Sequence, residues 1–178
     1  MHGQTGSSAL ARTAMLVVDD SRAMREIMKT ILQGLGVGEV LTARTADEAF
    51  EVLQRKLPDL IFVDWCMAPV SGLDLVRRLR GDPDSPCPFV PIVMCTGYTE
   101  MLHVMEARDA GVTEFLAKPV SADAVARRIE EVIRRPRNFV RADRFFGPDR
   151  RRLTRAATGG GGRRASDLSA SLGGERRQ

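Results

Sequence analysis

Between residues 14 and 134, short apolar runs alternate five times with stretches whose apolar residues recur at helical spacing. Few folds accommodate that alternation. Met15, Leu16, Val17 and Val18 form the first run, and Met24, Ile27, Met28, Ile31, Leu32 and Leu35 then mark one face of a helix. Asp20 or Ser21 can cap that helix, and Gly34, Gly36 and Gly38 end it. Val40 to Ala43 predict a weaker second strand, followed by a helix through Ala46, Ala49, Phe50 and Leu53 that Pro58 stops. Leu60, Ile61, Phe62 and Val63 predict the third strand, with Leu73, Val76, Leu79 and Arg80 on the helix after Gly72. The proline-rich stretch 82–88 reads as a loop, and Val90 to Met94 as the fourth strand. Met101, Val104 and Met105 predict the fourth helix, closed at Gly111. Glu114 to Ala117 form the fifth strand, and Val125, Ile129, Val132 and Ile133 lie on a fifth helix capped by Ser121. Strands one, three and four are continuously apolar, as parallel strands covered on both faces are. Five βα units with short connections predict an open, doubly wound α/β sandwich with a five-stranded parallel sheet. The order 2-1-3-4-5 is one of two common for this class.

In such a sheet the strand C-termini share one edge, where ligands bind. The residues predicted there are Asp19 and Asp20, Asp64, then Cys95, Thr96 and Gly97, then Lys118 and Pro119. Taken singly these are ordinary: an Asp after a strand caps the next helix, a Thr turns the chain, a Lys is solvated. Taken together they put three carboxylates, a hydroxyl and an amine on one edge. Clustered carboxylates repel one another and call for a cation. Oxygen ligands suit Mg²⁺, which completes its shell with water and phosphate oxygens. No His or Cys cluster suggests zinc, since His2 and His103 are isolated. A carboxylate beside such a cation can attack a phosphoryl group and become an acyl phosphate, with Lys and Thr serving the phosphoryl oxygens. The edge therefore reads as a phosphoryl-accepting aspartate site.

The set Leu16, Val17, Val18, Asp19 and Asp20, with Asp64 after an apolar strand, Thr96-Gly97 and Lys118-Pro119, resembles the receiver domain of two-component response regulators over roughly residues 13–134. The resemblance implies a flavodoxin-like fold that takes a phosphoryl group from a histidine kinase or phosphotransfer protein. It implies Asp64 as phosphoacceptor, Mg²⁺ bound by Asp20, Asp64 and the Cys66 carbonyl, and Asp19 acting through water. It implies Lys118 paired with the phosphoryl group, a cis bond to Pro119, and Thr96 and Phe115 as a switch pair. Cys66 and Tyr98 occupy the positions that tune phosphoryl lifetime in the family, and the loop proline, Pro69, stands one residue later than is usual. An aspartate-nucleophile phosphatase of the haloacid dehalogenase kind uses similar groups. It needs an Asp two residues after the nucleophile as acid and base, and here that residue is Cys66.

Charge divides the chain. Residues 1–133 hold 14 basic and 19 acidic side chains, whereas residues 134–178 hold 13 Arg and 4 acidic side chains. The overall charge of +4 thus hides an acidic body and a basic tail, so it is no nucleic-acid signal for the whole chain. The expected organisation is a disordered segment over 1–12, a receiver domain over 13–135 and a largely disordered Arg/Gly-rich tail over 136–178. No apolar run reaches the ~20 residues of a membrane helix, and the polar N-terminus does not read as a secretory signal. Cys66, Cys87 and Cys95 lack metal or redox spacing and read as reduced structural thiols, so a cytoplasmic location is expected. The expected function is a stand-alone receiver, itself not an enzyme beyond self-catalysed phosphorylation and dephosphorylation, whose surface acts on a protein partner. A phosphorylation-independent scaffold, a phosphate sink and a receiver regulating a nucleic-acid-binding tail stay open. Within the tail, Phe139, Phe145 and Phe146 among arginines suit a partner, an RNA strand or docking back onto the receiver.

Overall fold

The computed structural model describes residues 9–97, 103–134, 139–142 and 145–149. The elements run β1 (Ala14–Val18), α1 (Arg22–Gly34), β2 (Glu39–Ala43), α2 (Ala46–Arg55), β3 (Leu60–Asp64) and α3 (Gly72–Gly81). They continue as β4 (Ile92–Thr96), α4 (Val104–Asp109), β5 (Glu114–Ala117), α5 (Ala122–Arg134), β6 (Phe139–Ala142) and β7 (Phe145–Pro148). The five-stranded sheet has the order β2-β1-β3-β4-β5 with every pairing parallel, as expected.

Alternate residues of the central strands feed two separate cores. Leu16, Val18, Ile61, Val63, Ile92 and Met94 pack against α2, α3 and Ala107 of α4. Met15, Val17, Phe62, Val93 and Cys95 pack against Met28 and Leu32 of α1 and Val125, Ile129 and Val132 of α5. β1, β3 and β4 are buried at every position, whereas the edge strands β2 and β5 are only partly so. That is why β2 is the weakest strand in the sequence.

Several boundaries differ from expectation. Ser21, not Asp20, caps α1 by accepting the Met24 N–H. β4 starts and ends two residues later than read, and so includes Thr96. Pro91 has no N–H to give the ladder, so it contributes only its carbonyl, to the Ile61 N–H, ahead of the strand. α4 is only six residues long; Met105 on it is 65% exposed, and Met101 lies outside the described residues. Ile27 and Ile133, counted in the apolar stripes, are also exposed.

The described part of the 1–12 segment is ordered. Residues 9–12 make a turn whose Leu10 packs against the α1–α5 core, and the Leu10 carbonyl accepts the Gly38 N–H at 3.0 Å. A Cβ on Gly38 would lie 2.2 Å from the Ala11 carbonyl oxygen, so the close approach requires glycine. β6 and β7 pair as an antiparallel hairpin, and Phe139 meets Phe89 edge-on with ring centroids 5.4 Å apart. Docking back onto the receiver, one of the readings the sequence leaves open for this stretch, is what Phe139 does here. The rest of the tail lies outside the described residues.

Candidate functional site

The strand order reverses between β1 and β3, and the crevice at such a switch point is where α/β sheets bind ligands. β1 leads directly into Asp19 and Asp20, and β3 ends in Asp64. One carboxylate oxygen from each lies within 4.8 Å of the others. Asp19 and Asp64 are buried, at 3% and 6% exposure, and Asp20 is open to solvent. Lys118, just beyond β5, reaches across the edge with its Nζ 2.8 Å from Asp64 Oδ1 and 3.3 Å from Asp19 Oδ2. One ammonium faces three carboxylates. A net deficit of two positive charges, oxygen donors only and one solvent-facing ligand fit a hydrated divalent cation of the magnesium kind.

The electrostatics agree. Burial pushes the Asp64 carboxyl above its ordinary value and the Asp19 charge adds to that; contact with Lys118 and the Cys66 N–H oppose it. Burial pulls Lys118 down, but Asp64 and Asp19 outweigh it, and the ammonium is held above its usual value. A charged lysine therefore stands beside a carboxylate that desolvation makes more basic.

The loops explain how these groups are held. Asp19 Oδ1 accepts the Ser21 N–H at 2.9 Å, which fixes its rotamer. Arg25, one turn into α1, donates to the Asp19 carbonyl at 2.7 Å and the Asp20 carbonyl at 3.1 Å. After Asp64 the chain loops out through a cis Ala68–Pro69 bond and returns at Gly72, whose N–H donates to the Trp65 carbonyl. A Cβ on Gly72 would lie 1.9 Å from the Asp64 carbonyl oxygen, so only glycine lets α3 start this close to β3.

Asp19, Asp20, Asp64 and Lys118 are thus brought together. Cys66 sits beside them, its backbone N–H on the Asp64 carboxylate and its side chain exposed. Thr96 ends the neighbouring strand fully buried, with its hydroxyl donating to the Gly97 carbonyl at 3.0 Å and its own carbonyl accepting the Lys118 N–H at 2.8 Å. Phe115 lies further back on β5, half-buried against the α2–α4 core, with the Arg108 guanidinium 6.0 Å from its ring centre. The bond to Pro119 is cis, as the resemblance implied. Tyr98 lies outside the described residues. Arg25 and Gly72 were not singled out as site residues. Arg25 shows only as a polar position beside the stripe of α1, and Gly72 reads as punctuation until the Asp64 carbonyl is seen against it.

A parallel doubly wound sheet with an acidic triad and a lysine at its switch point defines a receiver-type phosphoacceptor module. A family model, the response regulator receiver domain, matches residues 15–130, and the chain belongs to that family. It is 37% identical over 120 residues to the chemotaxis protein CheY1 of Helicobacter pylori, covering 67% of this chain and 95% of that protein. It is 31% identical over 121 residues to the chemotaxis protein CheY of Pseudomonas aeruginosa, covering 68% of this chain and 96% of the other. Among solved structures, the chemotaxis response regulator CheY4 of Vibrio cholerae superposes with a TM-score of 0.61 at 31% identity, over 67% of this chain and 98% of that one. These likenesses support a phosphoacceptor signalling role.

Proposed function

We propose that this chain is a cytoplasmic response regulator whose Asp64 accepts a phosphoryl group from a histidine kinase or phosphotransfer protein and so changes the surface it offers a protein target. The observation that carries this is the placement of Asp64, buried, desolvated and 2.8 Å from the Lys118 ammonium inside an acidic cluster. Asp20, Asp64 and the Cys66 carbonyl would hold Mg²⁺ directly and Asp19 through water; the ion would supply charge neutralisation for the phosphoryl oxygens.

The chain's own residues do the rest. An Asp64 carboxylate oxygen forms a bond to phosphorus as the bond from phosphorus to the donor nitrogen breaks, and the donor ring, protonated on its other nitrogen, keeps the electron pair and leaves as neutral imidazole. Lys118, held charged by the same cluster, exchanges its contact with Asp64 Oδ1 for one with a phosphoryl oxygen. The Thr96 hydroxyl leaves the Gly97 carbonyl for the phosphoryl group, and Phe115 follows into the space vacated. The chain turns over no separate substrate beyond forming and losing its own acyl phosphate. Position 66 holds Cys, where an aspartate-nucleophile phosphatase needs an Asp as acid and base.

Trp65 is the sole tryptophan and adjoins Asp64, so its fluorescence tests the reading. Adding Mg²⁺ should change the emission, and beryllofluoride, a phosphoryl mimic, should change it again. The second change should be absent in Asp64→Ala. A folded protein silent to both would instead support a phosphorylation-independent scaffold.

A further inference from the structure

The β6–β7 hairpin takes no part in the acidic edge. It is seated where α3 ends, with β7 packed along α3 and Phe139 against Phe89. Arg80 forms the floor of that seat and is almost wholly buried. Its guanidinium donates from Nη1 to the Pro88 carbonyl at 2.8 Å, from Nη2 to Val90 at 2.7 Å, and from both Nε and Nη2 to Gly111 at 3.2 Å. Its carbon centre stands 5.0 Å from the Phe139 ring centre.

One planar fork therefore serves the segment leading into β4, the α4–β5 turn and the hairpin. The guanidinium is rigid, so tilting it toward or away from Phe139 tilts all of its N–H bonds together. The turn is itself tightly fitted: Gly111 has φ +101°, and a Cβ there would meet Arg80 Cγ at 3.0 Å. The same turn closes α4, through Gly111 N–H to Arg108 and Val112 N–H to Ala107.

We infer that the paired strands β6 and β7 act as a strap on the receiver, and that Arg80 is a positioning residue coupling the docking of this strap to the α4–β5 turn. Coupling of this sort is reciprocal: loosening the strap loosens the turn, and moving the turn releases the strap. If Asp64 works as proposed, α4, which follows the Thr96 loop, gives the phosphoacceptor a route to the strap; that extension rests on the functional reading above.

Hydrogen exchange on the full chain tests the strap. In Phe139→Ala, exchange should rise about fivefold or more at residues 110–113 as well as at 139–148, with β1 and β3 unchanged as the sign of an intact fold. Phe89→Ala, which alters the seat but not the strap, should do the same. Turn amides that stay within about twofold of the parent while the hairpin opens would overturn the coupling. Hairpin amides already as fast in the parent as in Phe139→Ala would overturn the docking. For the extension, Mg²⁺ with beryllofluoride should speed exchange at 139–148 in the parent and not in Asp64→Ala. A Trp65 response without any change at 139–148 would contradict the route from Asp64. Failure of Trp65 to respond would count against the phosphoacceptor reading alone, because the Phe139→Ala and Phe89→Ala comparisons need no ligand.

Discussion

At the scale of single residues, burial decides what each polar group in this chain can do. Asp64 is pushed above its ordinary pKa by desolvation, so its folded form binds a proton more readily than its unfolded form. Such a group stabilises the fold while protonated, and that contribution is lost as pH rises through the raised value. Asp64→Asn, which mimics the protonated carboxyl, should therefore melt at a higher temperature than the parent at neutral pH without divalent metal. The difference should shrink as pH falls toward the carboxylate range; thermal scans across pH check this. The thiols separate by the same logic. Burial pushes Cys95 up to about 12 and Cys87 up to about 11, while Cys66 is exposed. A thiol probe at pH about 8 should label one cysteine in the native chain, Cys66, and three after denaturation. The shared expectation of structural thiols fits two of them; that Cys66 points to solvent depends on the loop after β3, which apolar patterning does not describe.

At the scale of elements, what the sequence reveals is periodicity, and what it hides is proximity. Continuous runs such as 60–63 and 15–18 announce central parallel strands because both faces are covered, and the structure puts them there. The ends are less legible. β4 is displaced by Pro91, whose missing N–H breaks the ladder inside an apolar run, and on α4 (Val104–Asp109) Met105 faces solvent while Ala107 is the buried residue. The acidic triad was readable since two strand ends carry it, β1 leading into Asp19 and Asp20 and β3 ending in Asp64, whereas the Gly72 contact with Asp64 exists only across space. Gly72→Ala should cost roughly 3 kcal/mol, because its Cβ meets backbone that cannot swing aside. Chemical denaturation measures that cost, and the Trp65 response to beryllofluoride should weaken with it.

At the scale of the whole molecule, charge is organised by region. An acidic receiver gathers three carboxylates at the β1–β3 switch point with Lys118 against them, and a basic segment follows the hairpin seated at the end of α3. Composition disclosed both regions but left the stretch between them open, since phenylalanines among arginines suit solvated chain, a partner or docking back alike. Binding of a divalent cation to the native cluster alone should stabilise the entire domain by mass action, about 1.4 kcal/mol at ten times the dissociation constant. Calorimetry should show a melting temperature that climbs with Mg²⁺ in the parent and is nearly flat in Asp20→Ala. The central claim is that Asp64 takes up a phosphoryl group, and the most direct test is the intact mass of the chain after incubation with acetyl phosphate and Mg²⁺. The account predicts a fraction heavier by one phosphoryl group, absent without metal and absent in Asp64→Asn. An unshifted mass in folded parent protein, or an equal shift in Asp64→Asn, would contradict it.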